Sequence, residues 1–290
     1  MTQPSQQPSA PAPASFPEFS RLKRSFQKDG YIAVDFGFPP ALLEEAAAFM
    51  RRHWWGSEPH QKNTALYNGI RVQDAWKIDA SVRSIALFQP VLDFLNRLYG
   101  KEPLPFQTLN FPVGTEQTIH SDVVHFNCWP NDGSLCGVWL ALEDIDEDNG
   151  PLVYYPGSHL LPEVYPSNFG LPSGPAAYPA YEKKLADLVQ YLELTPEKTF
   201  LRKGTAFIWA ANLLHGGGWV RDKSRTRMTQ VTHYFFEGSE FYWTPLLSDI
   251  PRGHVERRHP EFIGAGSKPG GFPKRKITSV LKNFSPSGWK

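Results

Sequence analysis

Cysteine is almost missing. The chain has 290 residues and only 2 cysteines, Cys128 and Cys136, which do not form a CxxC pair. A disulfide framework is excluded by number alone, and this usage suits a reducing compartment, with the cytoplasm as the expected location. Excess charge of one sign is missing too. Lys and Arg number 30 against 29 Asp and Glu, a formal net charge of +1, so no global field draws the chain to nucleic acid or acidic lipid. The one basic stretch, Arg252 to His259, is short and lacks a groove-reading motif. A solvated loop is expected there, and no nucleic-acid partner. No run of about 18 apolar residues occurs, so no membrane-spanning helix is expected. The N-terminus lacks the basic start and apolar segment of a secretory signal. There is no internal repeat, no GxSxG elbow and no P-loop, and Gly264-Ala265-Gly266 is interrupted by Pro269 before it could serve as a dinucleotide fingerprint. The pattern carries no signal of oligomeric state.

What is present is an ordinary globular composition with many rings. Hydrophobic residues make up 41% and charged residues 20%, enough to bury a sizeable core. Aromatics reach 14% with 9 Trp, beside 27 Pro and 23 Gly, which fits short strands, frequent turns and an aromatic-lined cavity. Residues 1–17 are mostly Pro, Ser, Gln and Ala and are expected to form a disordered tail, because they cannot bury enough surface to offset ordering. Residues 18–290 read as a single domain, irregular from about 246.

Phe19, Leu22 and Phe26 fall at helical spacing before Gly30. Tyr31 to Val34 reads as a strand. A second helix follows Pro39-Pro40, and a third carries Val91, Leu92, Leu95 and Leu98 up to Gly100. From about 105 the period changes to short runs between turn residues: 106–111, 117–120, 136–142, 152–155, 205–210 and 228–236. This is the rhythm of a β sandwich or barrel. Leu185, Leu188, Val189 and Leu192 mark a helix inserted between strands. The fold class is therefore mainly β, with flanking N-terminal helices and one inserted helix.

The chemistry concentrates at His120 and Asp122, two apart on an extended segment. In that conformation i and i+2 share a face, so an imidazole and a carboxylate can meet one metal. His215 follows the apolar run 206–209 and precedes Gly216, Gly217 and Gly218, which allow close backbone approach. Two histidines and one carboxylate leave open positions on a metal, the arrangement suited to non-haem iron(II) and oxygen, whereas zinc more often sits in a tetrahedral site. Asp144 to Gly150 has the acidic rhythm of a calcium loop, but its glycine comes one place late and Tyr155 stands where the bidentate Glu belongs. It reads as an acidic turn.

Several ordered motifs surround the triad. Phe26-Gln27-Lys28-Asp29-Gly30-Tyr31 opens the series. Gly114-Thr115-Glu116-Gln117-Thr118-Ile119-His120-Ser121-Asp122 follows, then 137–144, Asn149-Gly150-Pro151-Leu152, Pro156-Gly157-Ser158-His159 and His215-Gly216-Gly217. With these, residues 18–245 resemble the phytanoyl-CoA dioxygenase family of 2-oxoglutarate-dependent oxygenases. The resemblance implies a double-stranded β-helix (jelly-roll, cupin-like) core. It also implies Fe(II) held by His120, Asp122 and His215, 2-oxoglutarate as co-substrate, O2 as oxidant, and a small-molecule substrate whose C–H bond is hydroxylated or otherwise oxidised. Asp122 argues against a halogenase, which leaves the carboxylate position open. An arginine past the distal histidine is implied to bind the far carboxylate of 2-oxoglutarate. Arg227 is chosen over Arg225 because it shares strand parity with Thr229, Val231 and His233, and Thr229 can add a hydroxyl. A planar guanidinium suits that carboxylate better than lysine. Some members carry Ser two residues after the distal histidine, where Gly217 stands here. Substrate-pocket candidates are Trp76, His125, Asn127, Trp129, Trp139 and the insert 160–200, while His159 is expected to be structural. Two other classes stay open: a zinc- or manganese-dependent hydrolase on the same ligands, and a catalytically inactive jelly-roll binding protein.

Overall fold

The computed structural model describes residues 16–55 and 71–264. Helix α1 (Phe16–Asp29) begins two residues inside the expected tail, and residues 1–15 of that tail lie outside the described residues. The helix ends at Gly30, whose φ of +84° only glycine adopts freely. A Cβ on Gly30 would also fall 2.4 Å from Nδ1 of His159. Strand β1 (Tyr31–Asp35) leads to α2 (Pro40–Trp55), which opens on a proline, where the missing N–H costs nothing. A short strand β2 (Val72–Gln73) and two more helices follow. α3 (Ala80–Ala86) is capped by Asp79, which accepts from the amides of Ser81 at 2.9 Å and Val82 at 3.1 Å. α4 (Gln89–Tyr99) ends on Gly100 in the left-handed region.

The remaining elements are nearly all strands: β3 (Pro103–Phe111), β4 (Asn127–Trp129), β5 (Leu135–Ala141), β6 (Leu152–Tyr154), the inserted helix α5 (Tyr178–Tyr191), β7 (Glu197–Thr199), β8 (Thr205–Ala210), β9 (His215–Gly217), β10 (Thr229–Phe236), β11 (Phe241–Trp243) and β12 (Arg257–Arg258). They pair in a six-stranded sheet of order β1-β8-β5-β10-β3-β2 and two smaller sheets, β7-β6-β9 and β12-β11-β4. Every strand pair is antiparallel. This is a jelly-roll core with helices on one side.

Alternation along the central strands sorts residues onto two faces. Cys136, Val138 and Leu140 of β5, Ala206 and Ile208 of β8, and Tyr234 and Phe236 of β10 pack against the helices with Phe26, Phe49, Met50 and Leu95. The opposite parity sends Trp139, Phe207, Trp209 and Val231 toward Tyr154 and Leu152 of the small sheet. Leu135, Phe106 and Phe235 continue this inner layer onto Cys128, Tyr242 and Trp243. Strands that carry helices on one face and a second sheet on the other are apolar throughout, which is why β5 is buried at every position.

Two expectations need correction. Residues 117–120 form no strand; His120 makes a single bridge to His215, because the chain turns directly after it. The segment from 246 is only partly irregular: β12 pairs with β11, placing Arg258 opposite Tyr242. The short strands β4, β7, β9 and β11 have too few residues to show a period.

The helices are fastened to the sheet by buried polar groups as well as by apolar contact. The Tyr234 hydroxyl donates to the Ala86 carbonyl at 2.9 Å. Gln230 Nε2 donates to the Val82 carbonyl at 3.0 Å, and Gln230 Oε1 accepts from Asn110 at 3.2 Å. Tyr234→Phe removes one such bond without creating a cavity. It should lower the unfolding free energy by about 1–2 kcal/mol in urea titration; no change would mean that the bond contributes nothing to docking α3.

Candidate active site

His120 and His215 come from segments joined by reciprocal backbone hydrogen bonds of 2.8 and 3.0 Å. Their rings lie side by side, with centroids 4.4 Å apart. Each Nδ1 contacts the carbonyl two residues back, Thr118 for His120 and Leu213 for His215, both at 2.9 Å. With Nδ1 as the donor, both rings present the Nε2 lone pair to the same space, the tautomer a metal requires. Ser121 is extended, so Asp122 returns to the His120 side before a 3-10 turn begins. Its Oδ1 lies 3.8 Å from His120 Nε2 and 3.9 Å from His215 Nε2. Its Oδ2 accepts from Trp209 Nε1 at 2.8 Å and lies 3.4 Å from His233 Nε2. One ligand atom from each of the three residues lies within 4.8 Å of the others, and all three are buried. Burial works against the Asp122 carboxylate, but the His215, His233 and His120 rings outweigh it and hold the group below its ordinary range. Burial and the neighbouring His215 lower His120 to about 3, so its ring is neutral. Two imidazoles and one carboxylate are a fitting donor set for a divalent transition metal.

The triad opens into a cavity of about 350 Å³ between the sheets. Arg227 stands in its wall, 4% exposed. Its guanidinium lies 5.2 Å from the centre of the Trp139 ring and 5.8 Å from that of Phe111. The Val113 carbonyl accepts from its Nη2 at 3.3 Å, and Nε has no partner. Burial pushes it down to about 10, which leaves it charged at neutral pH. Among the described residues no carboxylate pairs with it. Arg225 is on the surface in a two-bond pair with Asp146, both at 2.9 Å.

The phytanoyl-CoA dioxygenase (PhyH) family model matches residues 26–228. The chain belongs to this family. Phytanoyl-CoA dioxygenase domain-containing protein 1 of Danio rerio is 26% identical over 180 residues, covering 60% of this chain and 55% of that protein, so the chain spans little more than half of that relative. Among solved structures, the non-haem alpha-ketoglutarate-dependent carbocyclase SnoK from nogalamycin biosynthesis superposes with a TM-score of 0.61 at 17% identity, covering 89% of this chain and 99% of that one. EctD from S. alaskensis, with 2-oxoglutarate and 5-hydroxyectoine, gives 0.59 at 20% identity, covering 88% and 87%. The epimerase SnoN, in complex with Fe3+, alpha ketoglutarate and nogalamycin RO, gives 0.57 at 19%, covering 86% and 96%. At these identities the likeness is one of fold.

In this PhyH protein His120, Asp122, His215, Arg227, His125 and Trp139 all face one cavity. His125 reaches it because the 3-10 turn over Asp122–Val124 reverses the chain; its Nε2 lies 3.1 Å from the Tyr178 hydroxyl, and burial lowers it to about 4. Three candidates are corrected. Trp76 packs in the helix-side core. Asn127 is bound by Glu163 at 2.8 Å and Tyr165 at 3.1 Å, behind the wall. Trp129 lies outside, stacked 6.1 Å from Phe241. Thr229 is fully buried, and its hydroxyl accepts from Nη1 of Arg227 at 3.4 Å. Of the insert, Tyr178 lines the cavity; Trp209, His233, Arg71 and Arg258 also do so without having been picked out from the sequence. Trp209 and His233 share the inward parity of β8 and β10, a signal that was available. Arg71 and Arg258 give none. His159 Nε2 lies 3.1 Å from the Gln27 carbonyl, holding its turn against α1. The 144–150 segment is a turn bound by Arg202, Lys203 and Arg225.

Trp209 fixes the Asp122 carboxylate, and there is room for its ring only because residue 137 is glycine: a Cβ there would fall 2.3 Å from it. Trp209→Phe keeps a ring and removes the donor. Titration with cobalt(II) should show affinity weakened by about 10- to 100-fold with the fold intact; unchanged affinity would show that the indole does not orient the carboxylate.

Proposed function

We propose that this protein is a non-haem Fe(II)- and 2-oxoglutarate-dependent dioxygenase that oxidises a C–H bond of a small-molecule substrate. The observation that carries this is the pairing, in one cavity, of an open two-histidine, one-carboxylate set with a buried guanidinium that lacks an anion. A buried charge without a partner is costly, and a dicarboxylate that also reaches the triad relieves it. The iron and 2-oxoglutarate named for the SnoN and EctD structures support the same cofactors here.

His120, Asp122 and His215 would hold iron(II). Bound iron(II), 2-oxoglutarate and O2 supply the oxidising chemistry, with the co-substrate leaving as succinate and carbon dioxide. Arg227, 5.2 Å from the centre of the Trp139 ring, binds the far carboxylate of 2-oxoglutarate. Gly217 cannot carry the serine found in other members: its Cβ would fall 2.8 Å from the amides of Glu116 and Gln117 and from the Thr115 hydroxyl. Thr115 therefore brings a hydroxyl to the place that serine would occupy. Trp209 holds Oδ2 of Asp122, with His233 Nε2 3.4 Å away, leaving Oδ1 for the metal. Phe111, Phe126 and Val231 exclude water around it.

Anaerobic addition of iron(II) and 2-oxoglutarate should produce a weak charge-transfer band in the visible. His120→Ala and Asp122→Ala should each abolish the band and turnover by loss of iron. A band in either variant removes that residue from the ligand set, and no band in the folded wild type sinks the proposal. Arg227→Ala should raise the 2-oxoglutarate concentration for half-maximal band intensity by at least about 30-fold, the effect of stripping a buried charge of its partner. Arg225→Ala, at a surface ion pair, should change it less than about twofold; the reverse order would exchange their roles.

A further inference from the structure

Two more guanidinium groups face the cavity and have no task in the scheme above. Arg71 precedes β2, and Arg258 ends β12. Both line the cavity with His125 and Tyr178. Arg71 sits 6.0 Å from the centre of the Phe111 ring, which also has Arg227 as a neighbour at 5.8 Å. Its Nε is buried and has no partner among the described residues. Arg258 lies 5.6 Å from the Phe126 ring and donates from Nη1 to the His125 carbonyl at 3.0 Å. Among the described residues neither forms an ion pair with a carboxylate. Burial lowers the pKa of both.

The charges of the wall do not cancel. Among the described residues that line it, Arg71, Arg227 and Arg258 stand against the single carboxylate of Asp122. Iron(II) and the 2-oxoglutarate dianion would cancel each other and leave the surplus in place. In a partly enclosed, ring-lined space that surplus favours an anion and disfavours a neutral or cationic guest. Arginine suits oxyanions in particular, because its fork matches carboxylate and phosphate oxygens.

We propose that Arg71 and Arg258 form an anion-binding subsite for the primary substrate, and that this substrate is an organic carboxylate or phosphate ester held there with its reacting carbon toward His120, Asp122 and His215. The proposal rests on the oxygenase assignment in giving Arg227 to the co-substrate. His125 and Tyr178, in contact with each other between the two arginines and the triad, border the path of the substrate chain.

The test is anaerobic calorimetric titration of the iron(II)- and 2-oxoglutarate-loaded protein with hexanoate, hexyl phosphate and neutral hexanamide. At least one of the two anions should bind saturably and hexanamide at least about tenfold more weakly; the preferred anion identifies the headgroup. Arg71→Gln and Arg258→Gln should each weaken anion binding by at least about tenfold and leave the 2-oxoglutarate dependence of the visible band unchanged. Arg71→Lys should recover part of the loss. Equal binding of hexanamide, no binding of either anion, or anion binding unaffected in both glutamine variants overturns the proposal. It is also overturned if Arg71→Gln shifts the 2-oxoglutarate dependence instead, which would place Arg71 in the co-substrate site. The two variants lie on separate elements, so misfolding of one leaves the other to decide. If the wild type gives no visible band, the same titrations on the unloaded protein keep the questions apart: anion binding that depends on Arg71 and Arg258 then supports the subsite while the oxygenase assignment falls.

Discussion

The site depends on a two-bond backbone bridge. His120 and His215 lie far apart in sequence, and each amide donates to the other's carbonyl. That exchange sets the two rings side by side before any metal is considered. The bridge forms only because the neighbouring backbone has no side chains in the way: a Cβ on Gly216 would fall 2.7 Å from the Gln117 carbonyl. The glycines after His215 therefore do for packing what the imidazoles do for chemistry. Substituting them would push the 115–118 loop away and take His120 with it.

Around the bridge, the six-stranded sheet serves two masters by alternation. Along β10, Tyr234 and Gln230 reach the helices, while His233 and Val231 reach the cavity. The helix layer thus holds the metal side indirectly, by fixing the strand on which inward residues sit. Asp122 receives the most from this arrangement. The indole N–H of Trp209 replaces part of the water that the Asp122 carboxylate loses on burial.

Much of this was legible in the sequence because it is periodic or local. Short runs between turn residues mark β5, β8 and β10 as strands. Helical spacing marks α1, α2, α4 and α5, and glycines mark the ends of α1 and α4. His120 and Asp122 share a face by simple spacing, and the parity of Arg227 points inward. What was not legible depends on which distant segments meet. Trp76 looked like a pocket residue because tryptophan often is one, but it sits on the helix side of the sheet. Asn127 was spoken for by Glu163 and Tyr165, which sit on a loop whose course no local pattern reveals. Arg258 lies in a basic stretch that reads as solvated, and only the pairing of β12 with β11 turns it inward.

The sulfur atoms are distributed with the same strictness. Met50, Met228 and Cys136 lie in the helix-side core, and Cys128 lies under β11; none of them lines the cavity. Burial pushes the Cys128 thiol up to about 11 and the Cys136 thiol higher still, so neither is present as the thiolate that oxidants attack. An iron site that activates oxygen without a substrate in place damages its own surroundings. Here those surroundings are the rings of Trp139, Trp209, Phe126 and Tyr178. The scars of idle turnover in the proposed oxygenase would therefore be written as hydroxylated aromatics, and these four sulfur atoms would record none of it.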